Sequence, residues 1–265
     1  MFQSPLKVVM LLALFLPIYL FSQTGPGGVG NSSTQVLWLK PDSFSVSDGT
    51  VLETWDDASG NANALSQPDP AFRPIVKTNV VNGYDVVRFE TGNRRLRKTN
   101  FTDFPTTQIT TFYINKTTDS SDGILSYNSA GRDNDYLLFN SNDLQFYRSN
   151  NTGLTIDAND GAWHMVDMSW INTGLGLTSY LDGVLRRTTS HRNGTSITPG
   201  GSLSLAGEQD AVDANYAENQ SHQGDFTEVI IFNQAINSAE RIIIQNYLTA
   251  KYGLTLDSTV DFYTQ

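Results

Sequence analysis

The sequence predicts an all-β protein, a two-sheet antiparallel sandwich with one helix near the C-terminus. Three observations predict it. Short runs rich in Val, Ile, Tyr, Phe, Trp and Thr recur along the chain, separated by clusters of Asn, Asp, Gly and Ser. The intervals between these runs are too short for intervening helices, which disfavours a parallel α/β sheet. Only one stretch, near residue 240, carries apolar residues at helical spacing.

In chain order, residues 1–22 (MFQSPLKVVMLLALFLPIYLFS) place Lys7 before an apolar run from Val8 to Phe21 that only Pro17 interrupts. This is the layout of a signal peptide, cut after Ser22. The run, at about 14 residues, is short of the roughly 20 needed to cross a bilayer. No later stretch is long and apolar enough to span, so the mature chain is expected to be secreted or displayed at the cell surface, with no membrane span. Residues 23–34 form a Gly-rich leader expected to be flexible.

From residue 35 to 256 the chain reads as one domain. Candidate strands are Gln35–Leu39, Val51–Trp55, Asp85–Phe89, Gln108–Asn115, Gly123–Tyr127, Asp135–Phe139, Asp143–Arg148, Trp163–Trp170, Gly176–Leu181, Ser202–Ala206 and Asp225–Phe232. Asn82-Gly83 and Asp182-Gly183 are hairpin-turn dipeptides between them. The run from Trp163 to Met168 is apolar on both faces, as a central strand requires. Asn237-Ser238-Ala239-Glu240 has the form of a capping box, followed by Ile242, Ile243, Tyr247, Leu248 and Tyr252 at helical spacing and by Gly253 as a stop. That helix is expected across one edge or end of the sandwich. Residues 257–265 are expected to trail as a tail.

Composition narrows function. The chain has 265 residues, enough to bury a large core, and no cysteine, which removes disulfides, thiolate zinc sites and Cys nucleophiles together. Lys and Arg number 17 against 27 Asp and Glu, a formal net charge of −10. A surface of that sign repels phosphate backbones, so nucleic acid is not an expected partner.

Several motifs carry a resemblance. Gly161-Ala162-Trp163-His164-Met165-Val166 through Trp170, followed by Ser179-Tyr180-Leu181-Asp182-Gly183-Val184-Leu185, resembles the laminin-G/pentraxin-like (LamG-type) branch of the concanavalin A-like lectin and glucanase superfamily. Leu37-Trp38-Leu39-Lys40-Pro41-Asp42, Trp55-Asp56-Asp57-Ala58-Ser59-Gly60-Asn61, and residues 224–233 leading into the capped helix are similar to a subgroup found in secreted Bacteroidetes proteins. The resemblance spans about residues 25–256 and implies a jelly-roll that serves in carbohydrate binding or adhesion.

The alternative on the same fold is a polysaccharide-degrading enzyme, a glycoside hydrolase or lyase. Retaining hydrolysis needs two carboxylates about 5–5.5 Å apart. The E-x-D-x-x-E strand that would present them on one face is absent, as are the lyase signatures and a Gly-x-Ser-x-Gly elbow. The three histidines, His164, His191 and His222, form no metal-ligating pair, and His164 reads as a strand residue satisfied by a backbone group. The chain is therefore read as non-catalytic. A third reading is a structural spacer of a cell-surface protein.

Calcium is the metal to consider. The resemblance implies a structural calcium near the sandwich rim, and Asp56, Asp57 and Asn61, with Glu228 approaching from elsewhere in the chain, supply hard oxygen ligands. The same loop also reads as an Asx-rich turn bonding its own backbone. The run from Glu208 to Asp213 is a second acidic loop, a weaker option for the ion that reads more readily as solvated. For a glycan, Tyr136, Tyr147, Arg148 and Tyr216 are candidates to line a concave face, the competing reading being that such aromatics fill the core. The basic run Arg94-Arg95-Leu96-Arg97-Lys98 reads as an exposed edge strand protected against aggregation.

Overall fold

The period-two patterning builds two stacked sheets in the computed structural model, which describes residues 25–262. The 1–22 segment expected as a signal peptide lies outside the described residues. Eighteen strands form in chain order: β1 (Gln35–Leu39), β2 (Thr54–Trp55), β3 (Leu65–Ser66), β4 (Ile75–Val81), β5 (Tyr84–Phe89), β6 (Leu96–Phe101), β7 (Gln108–Thr117), β8 (Gly123–Ser129), β9 (Arg132–Phe139), β10 (Gln145–Arg148), β11 (Asn150–Gly153), β12 (Trp163–Ile171), β13 (Leu177–Leu181), β14 (Val184–Thr189), β15 (Gly201–Leu205), β16 (Gly207–Ala211), β17 (Ala214–Ser221) and β18 (Gly224–Phe232). Among the described residues one α-helix, α1 (Ser238–Tyr252), follows. The first sheet runs β14-β13-β12-β7-β18-β5-β4, with β1 also paired to β18. The second runs β11-β10-β9-β8-β15-β6-β3-β2 and carries β16 and β17 off that path.

Apolar side chains fill the space between the sheets. Trp170, Phe146, Tyr136 and Leu203 are fully buried there, and Phe104 stacks on Tyr127 at 3.7 Å. A second apolar layer lies outside the first sheet, where Phe112, Ile114, Met165 and Ile230 meet Ile244, Leu248 and Tyr252 of α1. The helix therefore covers a sheet face rather than an edge or end. That position explains why β12 and β18 are apolar on both sides. Asn237 caps α1 by accepting from the Glu240 amide at 3.0 Å, and Glu240 accepts from the Asn237 amide in return. Gly253, at φ 65°, ends it.

Several sequence expectations change. Val51–Trp55 shrinks to β2 plus an isolated bridge from Val51 to Ile75. Six strands not expected from the sequence appear, β3, β4, β11, β14, β16 and β17, and β6 forms in the basic run. The basic run is not an exposed edge. β6 pairs with β15 on one side and β3 on the other, Arg95 lies buried between the Phe72 and Tyr216 rings, and Arg97 pairs with Asp213. The described part of the Gly-rich leader is packed. Gly25 and Pro26 are buried, and a side chain at Gly27 would stand 3.0–3.1 Å from Ile243 and Tyr247 of α1. Close approach, not flexibility, is what glycine supplies there. The tail is tied down as far as Phe262. Leu256 is buried, the Asp257 amide donates to the Asp182 carbonyl, and the Phe262 amide donates to Asn246. No described helix is long and apolar enough to cross a membrane.

Candidate metal and ligand site

The outer face of the second sheet is covered by a hairpin instead of a helix. Ala206, at φ 67°, sits in the left-handed region and turns the chain from β15 into β16, which folds back over β8. Asp213 and Asn215, also at positive φ, make the tip of the β16–β17 hairpin. Beneath it lies a polar layer. The Gln209 side chain donates to the carbonyls of Ser126 and Ser202, both at 2.8 Å, and accepts from the Asp213 amide. Asn128 donates to the Gln209 carbonyl and to Asp133 Oδ1. These bonds fix the hairpin's register on the sheet.

Alternation along β16 turns Glu208 and Asp210 away from the side taken by Gln209. Asp133, at the start of β9, meets them. Among the described residues, these three are the one group of three or more potential metal-ligating side chains whose ligand atoms lie within 4.8 Å of one another. Asp133 and Asp210 are exposed, whereas Glu208 is 2% exposed with Oε2 buried and unpartnered. The Asn134 side chain donates to Asp133 Oδ2 at 3.0 Å and keeps its own amide oxygen buried without a partner. Glycine at 123 makes the arrangement possible, because a Cβ there would stand 2.6 Å from both Cβ and N of Glu208.

Electrostatics within the group are repulsive. Burial, reinforced by Asp210 and Asp133, pushes the Glu208 carboxyl up to about 7. Burial and Asp210 raise Asp133 as well, against the opposing hydrogen bond from Asn128. Three carboxylates at this separation repel one another unless a proton or cation sits among them. Hard oxygen ligands of this kind suit calcium. Beside them opens a cleft of about 350 Å³, with Arg132 and the exposed Val212 among its lining residues.

The residues singled out from sequence fall elsewhere. Asp57 fastens its own loop, accepting from the amides of Trp38, Ser59 and Asn63 and from the Ser59 hydroxyl. Asn61 donates to the Gln35 carbonyl, and Asp56 is exposed. This is the Asx-turn arrangement weighed for that loop. Glu228 lies beneath α1, accepting from Trp38 Nε1 at 2.5 Å, Tyr252 Oη at 2.6 Å and Lys251 Nζ at 3.0 Å. Among the described residues, no group of three potential metal-ligating side chains that includes Glu228, Asp56 or Asp57 converges on one point. Tyr136 and Arg148 are inside the sandwich: Tyr136 bonds Thr111, and Arg148 pairs with Asp135 over the Trp170 ring. Neither side chain can reach a ligand on a concave surface. Tyr147 is half-buried against Phe139 and bonds Gln145, and Tyr216 is half-buried against Arg95. His164 is held by side chains rather than backbone. Its ring lies between Asp182 at 2.7 Å and Asp160 at 3.1 Å, and the Asp182 bond, against partial burial, raises it to about 9.

The Glu208 loop, read as solvated from sequence, is thus the acid-rich centre, and Asp133 was missed. The signal available was Arg132-Asp133-Asn134-Asp135 directly after Gly131, two carboxylates and an amide at a hairpin tip.

A two-sheet sandwich with a helix on one outer face and an acid-bearing hairpin on the other defines a pentraxin-like jelly-roll of the concanavalin A type, the architecture of lectin-like binding domains. The chain belongs to the pentaxin family, whose model matches residues 95–253. Asp133, Glu208 and Asp210 lie inside that stretch, and Asp56, Asp57 and Asn61 lie outside it. The chain is 29% identical over 117 residues to the rat (Rattus norvegicus) "Sushi, von Willebrand factor type A, EGF and pentraxin domain-containing protein 1", a match covering 43% of this chain and 3% of the relative. It is 33% identical over 82 residues to human (Homo sapiens) pentraxin-4, covering 31% of this chain and 17% of the relative. The chain thus spans a small fraction of these relatives. Among solved structures, the binding domain of Paraclostridial Mosquitocidal Protein 1 is similar at TM-score 0.53 and 13% identity, covering 84% of this chain and 56% of that one. The botulinum neurotoxin serotype D ligand-binding domain, solved in complex with N-acetylneuraminic acid, is similar at TM-score 0.50 and 12% identity, covering 85% and 55%. At such identities the likeness is one of fold.

Proposed function

We propose that this protein is an exported, non-catalytic glycan-binding module that holds a calcium ion at Asp133, Glu208 and Asp210. The observation that carries the reading is Glu208: a buried carboxylate with an unpartnered oxygen, facing two further carboxylates. A divalent cation would neutralise that repulsion, and the Asn134 amide oxygen is a fourth candidate donor. With six to eight oxygen ligands to fill, calcium would leave positions open toward the adjacent cleft, where vicinal hydroxyls or a sugar carboxylate could complete them. The complex of the neurotoxin domain with N-acetylneuraminic acid supports a sugar on this kind of scaffold. Export rests on the character of residues 1–22.

One observation favours a second reading, a glycoside hydrolase. A carboxyl raised to about 7 beside ionised neighbours is the pattern of a general acid. Geometry weighs against it: the ligand atoms converge within 4.8 Å and Glu208 is sealed, so a glycosidic oxygen has no room between the acids. A glycan array probed with and without chelator, with reducing-end release measured on the bound polysaccharides, separates the readings. Calcium-dependent binding without product is expected. Product release would establish the hydrolase. Blank arrays in calcium would leave a structural spacer.

A further inference from the structure

A second cleft opens on the opposite side of the sandwich, where the leader, the loop after β1 and the last turns of α1 meet. It has a volume of about 470 Å³ and is lined by Gly27, Asp42, Tyr84, Tyr247, Ala250 and Lys251. That volume falls within the range of small-molecule sites, roughly 300–1,000 Å³. Tyr84 and Tyr247 are both half-buried and present aromatic surface to it. Lys251 belongs to its floor: the side chain is nearly sealed, and its ammonium bridges the buried Glu228 at 3.0 Å and the partly exposed Asp42 at 2.9 Å. Lys40 approaches Asp42 from the other side at 3.6 Å. Two ammonium groups therefore balance two carboxylates, and the floor is electroneutral.

Each feature selects a ligand property. Electroneutrality gives no attraction for an ion of either sign. Tyrosine rings favour a flat apolar face. Asp42, partly exposed and held in place by Lys251, accepts charge-assisted hydrogen bonds from hydroxyl groups. A pyranose ring combines a flat C–H face with a rim of hydroxyls, and one or two such rings fit the volume. We infer that the cleft bounded by Tyr84, Tyr247, Asp42 and Lys251 is a metal-independent subsite for one or two neutral pyranose units. It deepens the glycan-binding reading but does not depend on the acidic cluster. With the two sites on opposite outer faces, one molecule could join two glycan chains.

The test is saturation-transfer NMR on the full chain in chelator, against glucose, galactose, mannose, cellobiose and lactose. The comparison set is wild type, Tyr247→Ala, Ala250→Trp and Glu208→Gln. Ala250 is exposed on the helix, so the larger side chain obstructs the cleft without entering the core. Wild type and Glu208→Gln are expected to bind at least one of these sugars equally. Both cleft variants are expected to weaken that binding at least about tenfold, the scale of one aromatic contact. Absence of binding by wild type in chelator, or undiminished binding by Ala250→Trp, would overturn the inference. Either result leaves the calcium-dependent site standing, because the chelator removes that site from the measurement.

Discussion

Glu208 and Glu228 both lie on strands, and both are almost sealed from solvent, at 2% and 1% exposure. Their surroundings are opposite. Under the helix, Glu228 has an ammonium, an indole N–H and a phenol around it. Asp167 on the same sheet face is treated alike, paired with Arg241 and bonded by Gln245. Although burial pushes the Lys251 ammonium down, Glu228 and Asp42 hold it above its usual range. Under the hairpin, Glu208 has a buried oxygen with no partner and two more acids within reach. A buried acid with its own cation is part of the scaffold. A buried acid facing other acids carries a repulsion that a proton or a cation relieves.

The widest gap between the two glutamates should come from removing Lys251. Lys251→Met leaves Glu228 buried and uncompensated and should destabilise the protein by about 3–5 kcal/mol in urea unfolding. A loss below about 1 kcal/mol, the range of an exposed pair, would mean the ion pair is solvated. Next in size is Gly123→Ala. Its new methyl group would collide with Glu208, and a loss of about 1–3 kcal/mol is expected, together with weaker calcium binding. Glu208→Gln should act in the opposite sense to Lys251→Met. In chelator at pH 8 it removes a repelling charge and should raise stability by on the order of 1 kcal/mol. In calcium it should lower stability instead.

What the sequence reveals divides along the same line. Helix α1 was legible because capping box, spacing and stop all agree. The central strands were legible because both of their faces are buried and their residues are apolar. The β16–β17 hairpin was not: Ala214–Ser221 is mostly polar and packs through Gln209, Ser126 and Ser202 rather than through apolar side chains. Sequence also cannot tell Glu228 from Glu208. Glu228 stands in a clear strand, and the partners that occupy it, Trp38 and Lys251, come from the two ends of the domain. Asp133 reaches Glu208 only through the stacking of β8, β9 and β16, a long-range contact with no local signal.

Dependence on pH again separates the two faces. Glu208 is raised from about 4.5 in the unfolded chain to about 7 when folded. Its contribution is therefore full below pH 4.5 and lost as pH rises to about 7 in chelator. Calcium should cancel that loss, and calcium affinity should climb over the same window as the proton leaves. His164, raised from 6.5 to about 9 by Asp182 against partial burial, stabilises below pH 6.5, and that stability is lost as pH rises through 9. Calcium should not alter this second loss. Thermal unfolding from pH 4 to 10, with calcium and with chelator, reads both windows.

Calcium titration by calorimetry at pH 8 addresses the acidic cluster itself, using wild type and Glu208→Gln. One ion is expected to bind wild type, with affinity falling at least about tenfold in the variant, as for removal of one charged ligand. Equal binding by the two proteins, or none by wild type, would contradict a calcium ion held at Asp133, Glu208 and Asp210.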